Sequence, residues 1–192
     1  MQKLFTVIII YISIVFSACH ADTASEKIST ASSQDNTSIL PVTEFLKGQL
    51  REIDSLPITP LKAVIIQGKT DSAWLKREDI RVFAAPFLTP VIDSISMSPY
   101  FSGKSFLDQT INAFTFSFDP KVKLPDSINL SHWDVYVDPQ DGTIKRIYMV
   151  KDSANTTTQF TWQTGKWCSI RTITQTEGKE PHVREEKLIW DF

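Results

Sequence analysis

Residues 113–119, Ala113-Phe114-Thr115-Phe116-Ser117-Phe118-Asp119, alternate aromatic with small or polar side chains without a break. In extended backbone successive side chains point to opposite faces, so Phe114, Phe116 and Phe118 line one face and Thr115, Ser117 and Asp119 the other. A helix would set Phe114 and Phe118 on one face but turn Phe116 to the far side, so only an extended chain brings all three together. The stretch is therefore a strand with one apolar face, which requires neighbouring strands and something to cover that face.

The same period recurs downstream. Trp133, Val135 and Val137 alternate with Asp134 and Tyr136, and Asp138-Pro139-Gln140-Asp141-Gly142 follows as a hairpin turn. Pro fixes φ there and Gly supplies a positive φ. Ile144 to Val150 is the returning strand, Ala154-Asn155 a further turn, and Thr157 to Gln163 a strand with Phe160 and Trp162 on one face. Thr164-Gly165-Lys166 and Glu177-Gly178-Lys179 then separate Trp167 to Thr176 from His182 to Trp190. The charges of the last strand, Glu185, Glu186 and Lys187, suit an exposed edge that resists pairing with other chains.

Upstream the period changes. Val42, Phe45, Leu46, Leu50, Ile53 and Leu56 fall three and four apart, which makes one apolar stripe of a helix framed by Pro41 and Pro57. Leu61 to Gln67 is a short β-branched run that reads as a strand. A second helix, capped by Asp71 or Ser72, is predicted from Trp74 to about Ala85, with Pro86 and Pro90 ending it. Residues 90–104 read as irregular, with Pro99-Tyr100-Phe101-Ser102-Gly103 as a turn. Helices first and strands afterwards, without βαβ alternation, predict an α+β fold. One or two N-terminal amphipathic helices would pack on a curved antiparallel meander of about five to six strands, within a single domain spanning 39–192.

The chain begins differently. Lys3 precedes an apolar run from Leu4 to Phe16, and Phe16-Ser17-Ala18-Cys19 follows. This is the order of a secretory signal peptide, and the run is too short for a bilayer-spanning helix. Ser17-Ala18-Cys19 resembles the lipobox of bacterial lipoproteins, with Phe16 where that family usually carries Leu. The resemblance implies a signal peptide over 1–18, diacylglycerol and an acyl chain such as palmitate on Cys19, and membrane attachment through that lipid. His20, standing where Asp would favour inner-membrane retention, implies the outer membrane; the periplasmic or surface side stays open. An ordinary cleaved signal that leaves Cys19 near the new N-terminus is the competing reading. Residues 20–38 hold one large apolar side chain, Ile28, and read as a flexible Ser/Thr-rich tether with a reach of about 25 Å. If Cys19 carries lipid, Cys168 has no disulfide partner and reads as a small buried hydrophobe.

Chemistry is sparsely marked. Twenty Lys and Arg against 22 Asp and Glu, interspersed, give a formal net charge of −2 and no basic footprint for nucleic acid. No His-Glu-x-x-His, Cys-x-x-Cys or Gly-x-Ser-x-Gly motif occurs. Gly68-Lys69-Thr70 and Gly103-Lys104-Ser105 lack the first Gly of a phosphate loop, Ala63 and Ser98 standing in its place. No catalytic residue, metal site or cofactor is therefore expected. His132, Asp134 and Tyr136 share a strand face and include acid–base side chains, although a solvated strand face accounts for them as well. Asp138 and Asp141 fit turn chemistry better than a calcium loop. The aromatics of the strand half form the remaining candidate, with Trp133, Tyr136, Trp162 and Trp167 as ligand contacts for a lipid, a glycan ring or a hydrophobic peptide. The expected function is a non-enzymatic envelope lipoprotein for binding or assembly, its partners an envelope protein or a hydrophobic ligand. A carrier that holds a lipid in an aromatic-lined half-barrel is the alternative, and an envelope hydrolase a third reading.

Overall fold

The stripe between Pro41 and Pro57 forms helix α1, Val42–Ser55, in the computed structural model, which describes residues 34–35 and 37–190. Val42, Leu46, Leu50 and Ile53 are its buried apolar positions, and they enter a single apolar cluster with one face of a β-sheet. Helix α2, Arg77–Ala84, contributes Ile80 and Ala84 to the same cluster, and a 3-10 turn, Ala85–Leu88, contributes Phe87. A single helical turn, α3, Ser94–Met97, adds Met97 and is capped by the Asp93 carboxylate, which accepts from Ser96 N at 2.7 Å. Arg81 pairs with Asp54, and Arg77 donates to Leu56 O, which ties α2 to the end of α1.

The sheet is antiparallel throughout and has ten strands, the first of two residues. They are β1 Gln34–Asp35, β2 Leu61–Ile66, β3 Lys69–Trp74, β4 Phe101–Asp108 and β5 Ala113–Pro120. β6 Leu130–Val137, β7 Ile144–Ser153, β8 Thr156–Gln163, β9 Trp167–Thr174 and β10 His182–Ile189 complete it. Strands β4 to β10 run as a meander; the β2–β3 hairpin extends it beyond β10, and β1 lies beyond β4.

An antiparallel sheet with helices on one face agrees with the sequence reading, but ten strands replace the expected five to six. The excess lies in β1 to β4, outside the expected meander. Lys69–Trp74 was expected to lead into a helix and is instead the exposed strand of a hairpin turned by Gln67 and Gly68, both at positive φ. Phe101-Ser102-Gly103 is not a turn but the start of β4, where Phe118 crosses so closely that only glycine fits. β10 is not an edge: β2 pairs along it from Leu61 to Ile66, and Lys62 meets Glu186 at 2.6 Å. Gln34–Asp35, within the stretch read as tether, pair with Ser105 and Lys104. The signal peptide, Cys19 and the rest of that stretch apart from Thr37 and Ser38 lie outside the described residues.

The core is aromatic. The Trp133 indole stacks on Phe118 at 4.7 Å between ring centroids and meets Phe101 edge-on at 4.7 Å. Phe87 meets Phe160 at 5.2 Å and Trp162 at 5.4 Å, both edge-on, as aromatic quadrupoles favour. Beside them Lys151 is buried, its ammonium over the Phe160 ring and donating to Pro86 O and Thr89 O. Those two carbonyls belong to the segment that carries Phe87, so the lysine fastens the 3-10 turn to the sheet. Among the described residues no helix is long and apolar enough to cross a membrane.

A Cβ at Gly103 would lie 2.5 Å from Phe118 Cε1 and 3.0 Å from Thr37 O. Gly103→Ala should therefore destabilise the domain by about 1–3 kcal/mol, read as a lower urea midpoint. Gly48→Ala, inside α1 with only the flexible Arg51 side chain in ordinary contact at 3.9 Å, should stabilise the domain by about 0.5–1 kcal/mol, read as a higher urea midpoint.

Candidate functional site

The sheet face turned away from the helices is lined by side chains that alternate with the core. On β6 the core positions are Leu130, Trp133 and Val135, all buried, and the outward ones are His132, Asp134 and Tyr136. Leu130 and His132 would share a face in a regular strand. A bulge in the β6–β7 ladder between them sets Leu130 opposite Lys151 and His132 opposite Val150, so one points in and the other out. The ladder also places Ser117 across from Asp134 on β5, and Tyr148 and Arg146 across from Asp134 and Tyr136 on β7.

These residues form a hydrogen-bonded group. The His132 ring lies between two carboxylates, with Nδ1 2.8 Å from Asp119 Oδ1 and Nε2 3.1 Å from Asp134 Oδ1. Both nitrogens can donate only in the imidazolium form. The hydrogen bond to Asp134, opposed by burial and aided by Asp119, raises the His132 pKa to about 9. Burial works to raise Asp134, but the bonds from His132 and Ser117 outweigh it and hold that carboxyl below its ordinary value. Tyr136 OH donates to Asp134 Oδ2 at 3.1 Å, and burial followed by the Asp134 charge pushes the phenol up to about 12. Tyr148 is raised too, by burial and then by Asp134, and its ring lies 6.4 Å from His132. Lys104 Nζ completes the group 3.6 Å from Asp119.

This arrangement makes His132 a fixed cation rather than a proton acceptor at neutral pH, and Tyr136 a hydroxyl donor. The acid–base reading of His132, Asp134 and Tyr136 thus becomes an electrostatic clamp. Asp138 accepts from Gln140 N and pairs with Lys145, and Asp141 accepts from Thr143 N and Oγ1, so both are occupied by their own turn. Cys168 is fully buried and free, its thiol pushed well up by burial. Among the described residues no group of three or more His, Cys, Asp or Glu is placed to hold a metal ion.

The four aromatic candidates fall on opposite sides. Trp133 and Trp162 are core residues, 0% and 1% exposed. Tyr136 and Trp167 are half-buried on the outward face, where Arg146 lies 4.3 Å over the Tyr136 ring and Lys187 lies 4.1 Å over Trp167. Asp119, Arg146 and Lys187 also belong to this face and are not site candidates in the sequence reading, while Tyr148 enters it only among the aromatics of the strand half. Their only sequence signal is strand parity, which needs the cross-strand register to bring them together. No protein-family model, curated protein or solved structure matches the chain.

The clamp has a pH signature. A folded pKa of about 9 for His132, above 6.5, means its contribution is complete below pH 6.5 and lost as pH rises through 9. Asp134, shifted down, contributes above its ordinary 3.8 and loses that contribution as pH falls. Lys151 acts in the opposite direction to His132: burial lowers it to about 8, so the cost of its charge is relieved as pH rises above that value. Comparison of wild type with His132→Asn isolates the histidine. After solvent screening the wild type should be about 1–2 kcal/mol more stable at pH 6, and the gap should close by about pH 10 in urea titrations. A gap independent of pH would mean a neutral imidazole.

Proposed function

We propose that the chain is an outer-membrane-anchored envelope lipoprotein whose folded domain is a non-enzymatic binding module. Residues 1–18 would be removed, Cys19 would carry the lipid, and the Ser/Thr-rich stretch over 19–38 would join it to the domain at 39–192. Cys19 is the proposed lipidation site; Tyr136 and Trp167 are the ligand contacts that remain accessible. The observation that carries the binding half is the outward face of β6 to β10. It presents half-buried Tyr136, Tyr148 and Trp167 among polar side chains, while the apolar cluster draws on the other face alone. The lipobox resemblance of Ser17-Ala18-Cys19 carries the anchoring half. Two or more acyl chains on one cysteine would anchor the protein stably without a spanning helix.

One observation favours a second reading, a carrier holding a lipid or other hydrophobic ligand in an aromatic-lined half-barrel. Nε1 of Trp133 and Nε1 of Trp162 are buried and meet no acceptor among the described residues. An unpaired buried donor costs about 1–3 kcal/mol, and a ligand oxygen admitted beneath the 3-10 turn would supply an acceptor. Phe87 occupies that space, in contact with Phe160 and Trp162, so loading would require the Phe87 segment to lift.

The anchoring test is expression of the full chain in a bacterial host with labelled palmitate. The wild type should take up label and partition into detergent, and Cys19→Ser should lose the label and move to the aqueous phase. Equal partitioning of the two, without label, would sink the lipoprotein reading. Native mass spectrometry of the same preparation tests the carrier: a stoichiometric co-purifying lipid would put that reading first.

A further inference from the structure

On the outward face, the two rows of the ladder nearest Trp167 hold cations that no carboxylate neutralises. One row runs Tyr136, Arg146, Gln163, Trp167 across β6 to β9. The next runs Asp134, Tyr148, Thr161, Ser169, Lys187 across β6 to β10. Asp134 is the one carboxylate in these rows, and it is engaged by His132 and Tyr136. Arg146 and Lys187 form no ion pair among the described residues; each lies on an aromatic ring instead. A guanidinium stacked on a ring keeps its in-plane N–H donors for a further partner, and an ammonium over a ring keeps the N–H groups that point away from it.

The spacing narrows that partner. Arg146 on β7 and Lys187 on β10 are three strands apart, a backbone separation of about 14 Å. One phosphate or carboxylate does not reach both, whereas a polymer with repeated charges does. The main chain of these interior strands is already paired on both sides, so an extended peptide has no edge to join there. What the face offers are ring surfaces, a carboxamide and a hydroxyl, at Gln163 and Thr161, which suit a hydroxyl-rich chain.

We infer that the outward face of β6 to β10 binds an acidic polysaccharide, with Arg146 and Lys187 meeting repeated negative charges and Tyr136, Tyr148 and Trp167 packing the sugar rings between them. The inference rests on the reading of the domain as a binding module and names its ligand class.

The test uses the full chain in mild detergent and follows tryptophan fluorescence and heat of binding. The probes are oligogalacturonate, a heparin oligosaccharide, a polyribitol phosphate, the methyl ester of the oligogalacturonate and phosphatidylglycerol vesicles. At least one acidic glycan should bind with a Kd of about 10 μM to 1 mM and weaken as salt rises. The methyl ester should bind about tenfold more weakly than the free acid, if the carboxylate form is the ligand. Arg146→Gln and Lys187→Gln should each weaken the acidic glycan by about fivefold while leaving the urea midpoint in place, and the double variant should weaken it further. Equal binding of acid and ester would overturn the acidic assignment while keeping a glycan-binding module. Binding to vesicles alone, or acidic-glycan binding unchanged in the double variant, would overturn the assignment of this face to a polysaccharide. Failure of all three acidic glycans up to about 5 mM would overturn the inference, and the palmitate result would stand apart from it.

Discussion

The Trp133 indole, stacked on Phe118 and met edge-on by Phe101, joins three consecutive strands of the sheet at one point. Its position depends on two local departures from regularity. The bulge between Leu130 and His132 lets Leu130 and Trp133, three residues apart, both face the core. Gly103 lets the Phe118 ring lie against β4 where any side chain would collide. With these in place the registers of β4, β5 and β6 are set, because a one-residue slip would carry every side chain to the other face. The outward grouping of Asp119, His132, Asp134 and Tyr136 is thus a consequence of how the inward rings pack.

What the sequence makes legible follows from which constraints are local. The alternation of 113–119, the turn at 138–142 and the stripe from Val42 to Ile53 each declare themselves within a few residues, and each appears in the fold. β3 does not, because all six of its residues are exposed and nothing in Lys69–Trp74 alternates between core and solvent. β4 is concealed because Gly103 reads as a turn residue until the Phe118 ring is placed against it. β10 reads as an edge because its charges look solvated, and only the docking of β2 explains Glu186 beside Lys62.

The candidate site was partly legible for the same reason. Period two puts His132, Asp134 and Tyr136 together, but Asp119 and Tyr148 join them only through ladders whose register the bulge alters. The aromatic residues of the strand half look like one surface in sequence. The sheet divides them: Trp133 and Trp162 inward, Tyr136, Tyr148 and Trp167 outward. β8 shows its core parity in Phe160 and Trp162, but β9 carries apolar side chains at both parities and does not reveal which of them faces the core.

Both faces of the sheet carry paired and ring-held cations, in different places. On the helix side Lys151 rests on the Phe160 ring and two carbonyls, Arg184 meets Glu186 along β10 at 3.0 Å, and Lys62 meets Glu186 across strands at 2.6 Å. Cross-strand pairing of this kind is the ordinary way a sheet tolerates charged side chains. On the outward side His132 engages both Asp119 and Asp134, and Lys104 lies 3.6 Å from Asp119. Arg146 and Lys187 are left on aromatic rings, and the rows nearest Trp167 become positive in a chain whose formal charge is −2. The imidazolium clamp, the bulge that aims it outward and the ring-held cations therefore form one electrostatic arrangement, and its physical effect is to keep positive charge available on a rigid, half-apolar face.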